Sequence, residues 1–248
     1  MKVFSVIGIT KSGKTTTIEN IIKELRKRNY TVGSVKEIHF EEFKMDVEGT
    51  NTHRHKMAGS QLVTARGAYE TDVLFQKQLS MNEILSFYNH DFVILEGVRD
   101  TCIPKIVTAH DVEGIQDRMD ETTFAISGKI SNSMSEYEGI PVINSITEIE
   151  KMVNIIEEKV FDRPPDMKDE CCQKCGYTCA ELSSKILKGE AERRDCILTE
   201  QSVMLKINGQ EITMVPFVQS ILKNAVEGIA KELSGYTENG DIEVCIKR

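Results

Sequence analysis

The sequence predicts an α/β fold: a mostly parallel sheet flanked by helices, followed by a small α+β module that carries cysteines. Three observations predict it. Apolar runs of strand length alternate with helical stretches over about the first 160 residues, the pattern of a parallel sheet. A glycine-containing loop joins the first run to the first helix. Five of the seven cysteines lie between positions 171 and 196, beyond a proline pair.

Val3 to Ile7 is the first strand. The helix after it carries Ile18, Ile21, Ile22 and Leu25 on one face, and Asn29 is placed to stop it. Thr31–Val35 reads as a second strand. Ser80-Met-Asn-Glu83 is a capping-box pattern opening a short helix from Asn82 to Phe87. Phe92–Glu96, Lys105–Ala109 and Phe124–Ser127 read as strands, and Pro141–Asn144 as the last. Thr147-Glu-Ile-Glu150 reads as another capping box, opening a helix with Ile149, Val153, Ile156 and Val160 on one face. Residues 1–162 are thus expected to form one domain, with its ligand at the carboxyl ends of the strands. Residues 163–169, charged and containing Pro164-Pro165, read as a linker. Residues 170–248 form the expected second unit. After the cysteines come a hairpin, Val203–Ile207 and Glu211–Val215 around Asn208-Gly209, an amphipathic helix from Pro216 to Leu233, and a closing strand, Ile242–Ile246.

Gly8-Ile-Thr-Lys-Ser-Gly13-Lys14-Thr15 is a complete G-x-x-x-x-G-K-[ST] phosphate-binding loop, placed between strand and helix as its chemistry requires. Gly8 and Gly13 let the backbone turn tightly and bring N–H groups near phosphate oxygens. Thr10, Lys11, Ser12 and Thr16 complete the cradle, and the helix adds its unpaired N–H groups and the positive end of its dipole. Lys14 would reach the β- and γ-phosphates, and the Thr15 hydroxyl would ligate Mg²⁺. Lys11 does not directly follow the first glycine, so the loop is the plain Walker form of a P-loop NTPase-type fold. Phe92-Val-Ile-Leu-Glu96-Gly97 resembles the second nucleotide motif: an apolar strand ending in an acid that holds Mg²⁺, with Gly97 allowing close approach to phosphate. His53 and His55, two apart on a helix, diverge too far to share a metal. No N-K-x-D motif is present, so the residues alone do not choose GTP over ATP.

Composition narrows the class. The 248 residues carry 31 basic and 39 acidic side chains, a net charge of −8, which argues against a general nucleic-acid or anionic-membrane binder. No apolar run has the roughly 18 residues of a membrane span. The chain opens on a core strand, so no signal peptide is expected, and a nucleotide loop implies a cytoplasmic, reducing setting.

Together, the loop Gly8–Thr15, Lys36 and His39, the Asp46…Gly49…Arg54…Ala58-Gly59 segment and Ile94-Leu-Glu96-Gly97 resemble the MobB family of molybdopterin-guanine dinucleotide biosynthesis proteins over roughly the first 160 residues. That resemblance implies a GTP-binding, dimeric accessory protein with at most weak GTPase activity. Its expected partner is a MobA-like nucleotidyltransferase, which attaches GMP to molybdopterin, or a molybdenum or tungsten enzyme. The family usually carries Lys-Asp after the glycine of the middle segment, and Thr50-Asn51 stand there instead. Asp46 is then the better candidate to join Thr15 and Glu96 at Mg²⁺.

Cys172-x₂-Cys175-x₃-Cys179-x₁₆-Cys196 has three packed thiols and one remote, closer to iron–sulfur ligation than to the paired C-x₂-C of structural zinc. With the Lys188-Gly189-Glu190 segment it resembles the small four-cysteine domain of electron-transfer and corrinoid-enzyme subunits. That domain has four residues, not three, between its second pair of cysteines. A [4Fe–4S] cluster is the expected occupant and zinc the alternative. Cys102 and Cys245 read as ordinary thiols.

The leading expectation is an accessory GTP-binding protein of molybdenum or tungsten cofactor maturation with a fused cluster module. A nucleotide-gated adaptor or metallochaperone is the second class. A small-molecule kinase ranks last, because Arg66, Arg99, Arg118 and Arg163 are scattered and make no lid pattern.

Overall fold

The computed structural model describes residues 1–40, 43–164, 175–196, 203–207, 210–212, 214, 216–237 and 242–246. The elements follow in the order β1 Lys2–Gly8, α1 Lys14–Lys27, β2 Val32–Lys36, α2 Asn51–Met57, β3 Leu62–Arg66, β4 Thr71–Phe75, α3 Met81–Leu85, β5 Phe92–Glu96, β6 Lys105–Thr108, α4 Val112–Gln116 and β7 Thr123–Ser127. Then come β8 Glu136–Tyr137, β9 Ile140–Pro141, α5 Ile149–Lys159, α6 Cys179–Lys188, β10 Leu205–Ile207, β11 Gln210–Ile212 and α7 Pro216–Ala230. A five-stranded sheet in the order β2-β5-β1-β6-β7 is parallel throughout and flanked by helices. Strands β1, β5, β6 and β7 are buried along nearly their whole length, so they read as continuous apolar runs.

α1 and α5 cover one face. Ile18, Ile21 and Leu25 of α1 pack with Phe4, Val6, Ile94, Met152, Val153 and Ile156. The other face is filled by Val3, Val93, Leu95, Leu85, Val98, Cys102 and Ile103. Asn29 adopts a left-handed φ of 67° directly beyond α1, a conformation asparagine tolerates better than most residues. The Ser80–Glu83 capping box forms as expected, and it holds the Glu83 carboxyl down to about 2, chiefly through the Ser80 backbone N–H.

Four expectations change. Pro141–Asn144 is not a full strand. Ile140–Pro141 pairs with β8, and Val142 alone bridges to Ile126, because a proline without an N–H cannot extend a ladder. The Thr147 capping box does not form. Asn144 Oδ1 accepts from the Ile146 and Thr147 N–H groups, and α5 starts behind Glu148 with no side-chain cap. Ile242–Ile246 alternates like a strand, but its residues lie exposed outside any ladder among the described residues. Finally, β3 and β4 form an antiparallel hairpin that the pattern reading passed over.

Past Asp162, the chain stays fastened to the sheet. Asp162 takes the α-amino group of Met1 at 2.9 Å, and Arg163 N–H donates to Met1 O. Residues 165–169 of the expected linker lie outside the described residues. α6 opens on a capping box, Thr178 with Glu181, and closes on Gly189 at φ 76°. Its Leu187 joins the core beneath α1 and α5, and its backbone carbonyl accepts from Lys159 Nζ at 3.4 Å. The β10–β11 hairpin and α7 form as the pattern predicts; Asn208-Gly209 lie outside the described residues. Among the described residues no helix is long and apolar enough to cross a membrane.

Candidate functional site

The loop from Gly8 to Thr15 lies at the carboxyl end of β1, where its two neighbours force glycine. A Cβ on Gly8 would stand 2.2 Å from Thr108 O, so β6 approaches too closely for any side chain. Gly13 turns at φ 106° into the N-terminus of α1 and faces Gly128. Gly128, at φ 89°, is required in turn: a Cβ there would stand 2.3 Å from Ser12 O. Sequence reasoning missed Gly128. Its signal was a glycine following the apolar strand Thr123–Ser127, next to the strand bearing Thr108.

Side chains inside the loop divide into fasteners and free groups. Ser12 Oγ is buried, donating to Ile9 O at 2.8 Å and lying 2.7 Å from Thr108 Oγ1, which itself bonds to Ile7 O. The Ser12 side chain therefore pins the loop, and only its backbone can serve a phosphate. Thr10, Lys11, Thr15 and Thr16 are exposed, with Lys11 left-handed at φ 62°. His110 Nε2 sits 3.3 Å from Thr10 O, and Thr17 Oγ1 meets Ser145 Oγ at 3.0 Å, two further fasteners absent from the motif. Lys14 reaches back across the loop, its ammonium donating to Gly8 O at 3.0 Å and Ile9 O at 2.6 Å. Partial burial pushes its pKa down, and the positive charge of Lys36 adds to that.

Glu96 is where the two motifs meet. The Thr15 hydroxyl donates to Glu96 Oε1 at 3.2 Å, and Lys36 forms an ion pair with the same oxygen. Gly97, at φ 83°, donates its N–H to Val6 O and lies beside Glu37 and His39. The Thr15 hydroxyl and the Glu96 carboxylate thus meet where the loop enters α1.

Asp46 bonds within its own segment. Its Oδ1 accepts from Thr50 Oγ1 at 3.0 Å and Thr52 Oγ1 at 2.7 Å; the Thr52 bond does most to hold its carboxyl below the ordinary range. Thr50 also caps α2 by accepting the His53 N–H. The Thr50-Asn51 replacement therefore has a structural use: it ties Asp46 to the helix start. His53 Nδ1 faces the Gly49 N–H at 3.5 Å, and His55 is exposed.

The cysteines gather only in part. Cys196 is buried with Leu182, and Cys175 packs against them. Cys179, at the start of α6, packs instead against the Val3–Leu85 side of the sheet. Cys172 lies outside the described residues. Among the described residues no three His, Cys, Asp or Glu side chains form a metal-binding group. Cys175 and Cys196 thus belong to one hydrophobic cluster, and Cys179 lies against another.

Comparison with known proteins agrees with this architecture. The family model described as "MobB: Molybdopterin guanine dinucleotide synthesis protein B" matches residues 3–127, or 125 of 248 residues. A Methanocaldococcus jannaschii protein, provisionally named a molybdopterin-guanine dinucleotide biosynthesis adapter protein, is 31% identical over 251 residues, covering 98% of this chain and 97% of its own. A Haemophilus influenzae molybdopterin-guanine dinucleotide biosynthesis adapter protein is 31% identical over 107 residues, 41% of this chain and 60% of its own. The crystal structure of Bacillus subtilis MobB superposes with a TM-score of 0.56 at 22% identity, covering 66% of this chain and all of that one.

Proposed function

The chain belongs to the MobB family, and on that premise we propose that it is a GTP-binding accessory protein in the formation of molybdopterin guanine dinucleotide, serving molybdenum or tungsten enzymes. The observation that carries the nucleotide part is the meeting of Thr15, Lys36 and Glu96 at the mouth of an intact phosphate loop. In this reading, the loop N–H groups and Lys14 bind the phosphates, and Thr15 with Glu96 holds Mg²⁺. The metal supplies charge neutralisation between the β- and γ-phosphates. Lys36 occupies Glu96 in the structure described, so magnesium and Lys36 compete for one carboxylate, and nucleotide state is read out at the start of the 37–46 segment.

The partner is a MobA-like nucleotidyltransferase, and the working form is a homodimer. Output is through that partner, with weak hydrolysis at most. The adaptor or metallochaperone reading keeps the same nucleotide site and differs only in the partner. Asp46 belongs to loop fixation in this proposal, not to the magnesium site.

Calorimetric titration of GTP with and without Mg²⁺, on the unaltered chain and on Glu96→Gln, tests the site. The expected result is a loss of about tenfold or more in the presence of magnesium and a small change in its absence, since the amide is a poor metal ligand and releases Lys36. Equal losses under both conditions would make Glu96 a structural residue. ATP bound as tightly as GTP would leave the nucleotide site standing and move the protein towards the general adaptor class.

A further inference from the structure

Two loops meet beside the phosphate loop at the carboxyl end of the sheet. The first leaves β7 through Gly128, which packs against Ser12 and Gly13. The second follows Val142, which bridges to Ile126 in parallel and so ends at the same edge. Ser127 Oγ donates to Ile143 O at 2.7 Å, and Ser145 is held on α1 by Thr17 Oγ1 at 3.0 Å and Asn20 Nδ2 at 3.1 Å. Asn144 Nδ2 ties the two loops together by donating to Asn132 Oδ1 at 2.9 Å. We propose that Asn132, oriented by Asn144, reads the 6-oxo group of a purine nucleotide and so selects guanine and hypoxanthine over adenine.

The place follows from the nucleotide reading, on which this inference rests. In that reading Thr15 and Glu96 hold the magnesium end of the phosphates on the β5 side of β1. The α-phosphate, ribose and base then run the other way, over the start of α1 towards β6 and β7. Both loops lie there. Asn132 ends the short turn Lys129–Asn132 that follows Gly128, and Asn144 immediately precedes the Ser145 that is fastened to α1. Ile146, 70% exposed, adds an apolar surface next to the amide pair, since its N–H donates to Asn144 Oδ1.

The polarity of the pair is fixed by the backbone. Asn144 Oδ1 accepts the N–H groups of Ile146 at 2.9 Å and Thr147 at 3.3 Å, which only the oxygen of an amide can do. Its amide nitrogen must then face Asn132, and the Asn132 atom that receives this N–H must be its oxygen. An asparagine open at both ends pairs with adenine, its oxygen taking the N6 amino group and its nitrogen N7. With Oδ1 engaged, Asn132 presents its two amide N–H groups, which make no hydrogen bond among the described residues. Guanine offers O6 and N7, both acceptors, whereas adenine puts an amino donor where O6 would be. Donor against donor leaves both groups unpaired, which costs affinity. Nothing in this pair reads the 2-amino group, so hypoxanthine serves as well as guanine.

Calorimetric titration of GTP, ITP and ATP, each with Mg²⁺, into the full-length chain and its Asn132→Ala and Asn132→Asp variants tests this. In the unaltered chain GTP and ITP should bind within about threefold of each other and at least about tenfold tighter than ATP. Asn132→Ala should weaken GTP and ITP about fivefold or more and ATP less than about twofold, a selective loss that a merely structural role would not produce. Asn132→Asp replaces the donors by acceptors, so it should weaken GTP more than Asn132→Ala does and no longer exclude ATP. ATP bound as tightly as GTP by the unaltered chain, ITP bound about tenfold or more weaker than GTP, or equal losses of GTP and ATP in Asn132→Ala would each overturn the proposal and leave the phosphate loop in place. No binding of any nucleotide, or binding that Lys14→Ala leaves unchanged, would overturn the nucleotide reading and this proposal with it.

Discussion

In the sheet, Phe92–Leu95, Lys105–Thr108 and Thr123–Ser127 bury every residue, and the clusters on both faces draw most of their side chains from the first 160 residues. In the segment after residue 164, α7 leaves Phe217 and Ile229 at 74% and 68% exposure, and the hairpin leaves Ile207 more than half exposed. Apolar side chains of α6 turn partly to the first region: Leu187 enters the core beneath α5, and the half-buried Cys179 packs beside Val3. The first region is ordered by its own burial, whereas the second takes much of its order from the first. The same contrast separates their glycines. In the loop they answer close backbone approach, and at the end of α6 Gly189 answers only the need for a left-handed turn.

The largest expected effect lies in the first region alone. Lys14→Ala removes the ammonium that would bond to two phosphates, contacts worth roughly 1.5–3 kcal/mol each when charge-assisted. GTP affinity measured by calorimetry should fall at least about 100-fold, with an unchanged far-ultraviolet circular dichroism spectrum. Unchanged affinity would remove the phosphate-loop assignment.

Two glycine substitutions sharpen the contrast. Gly128→Ala combines a backbone of positive φ with a Cβ 2.3 Å from Ser12 O and 2.9 Å from Ala109 O. Strain and overpacking together should cost roughly 2–6 kcal/mol by denaturant titration. Gly189→Ala also has a positive φ, but with ψ 16° it lies in the ordinary left-handed region, unlike Gly128 at ψ −157°, and nothing lies within 4 Å, so its cost should be about 1 kcal/mol. Similar losses from both would show that loop packing adds nothing beyond backbone strain.

What the sequence made legible follows the same division. The phosphate loop, the Glu96 strand and the parallel alternation were readable because burial on both faces leaves an unbroken apolar pattern and because the loop chemistry fixes residue types. The hairpin of β3 and β4 was not, since its Leu62, Val73 and Phe75 are substantially exposed and its residues do not segregate cleanly between faces. The bonds of Asp46 to Thr50 and Thr52 were not legible, because spacing cannot tell a carboxylate that fastens its own loop from one aimed at a metal. The Thr147 capping box failed through competition: Asn144, three residues earlier, supplies the acceptor first. Gly128 was invisible because its constraint comes from Ser12, far away in sequence.

Leu187→Ala tests whether the second region shares the first region's core. Leu187 is 8% exposed among side chains of α1, α5 and the sheet. Truncating a buried leucine costs roughly 2–5 kcal/mol. If the core is shared, the melting transition that nucleotide stabilises should move down with this variant, while GTP affinity measured below that transition stays within about twofold. A variant that melts a separate transition and leaves the nucleotide-stabilised one in place would make residues 170–248 an independent domain.

The smallest effect concerns the cysteines and decides how the second region is organised. Cys175 and Cys196 share a hydrophobic cluster, and Cys179 packs against the cluster of Val3 and Leu85. Serine in place of a buried thiol adds a hydroxyl that needs a partner, an effect of about 1–3 kcal/mol at most. Cys196→Ser, at a site only 7% exposed, should therefore destabilise more than Cys175→Ser or Cys179→Ser, which alter half-buried positions. Iron, sulfide and zinc analysis of the anaerobically purified chain adds the second readout. The packing predicts that Cys179→Ser leaves metal content unchanged. If Cys179→Ser strips iron and sulfide as completely as Cys172→Ser, Cys175→Ser and Cys196→Ser do, then α6 turns its first residue away from the sheet when metal is bound. The four-thiolate cluster would then stand, and the second region would owe its order to metal as well as to the core it shares.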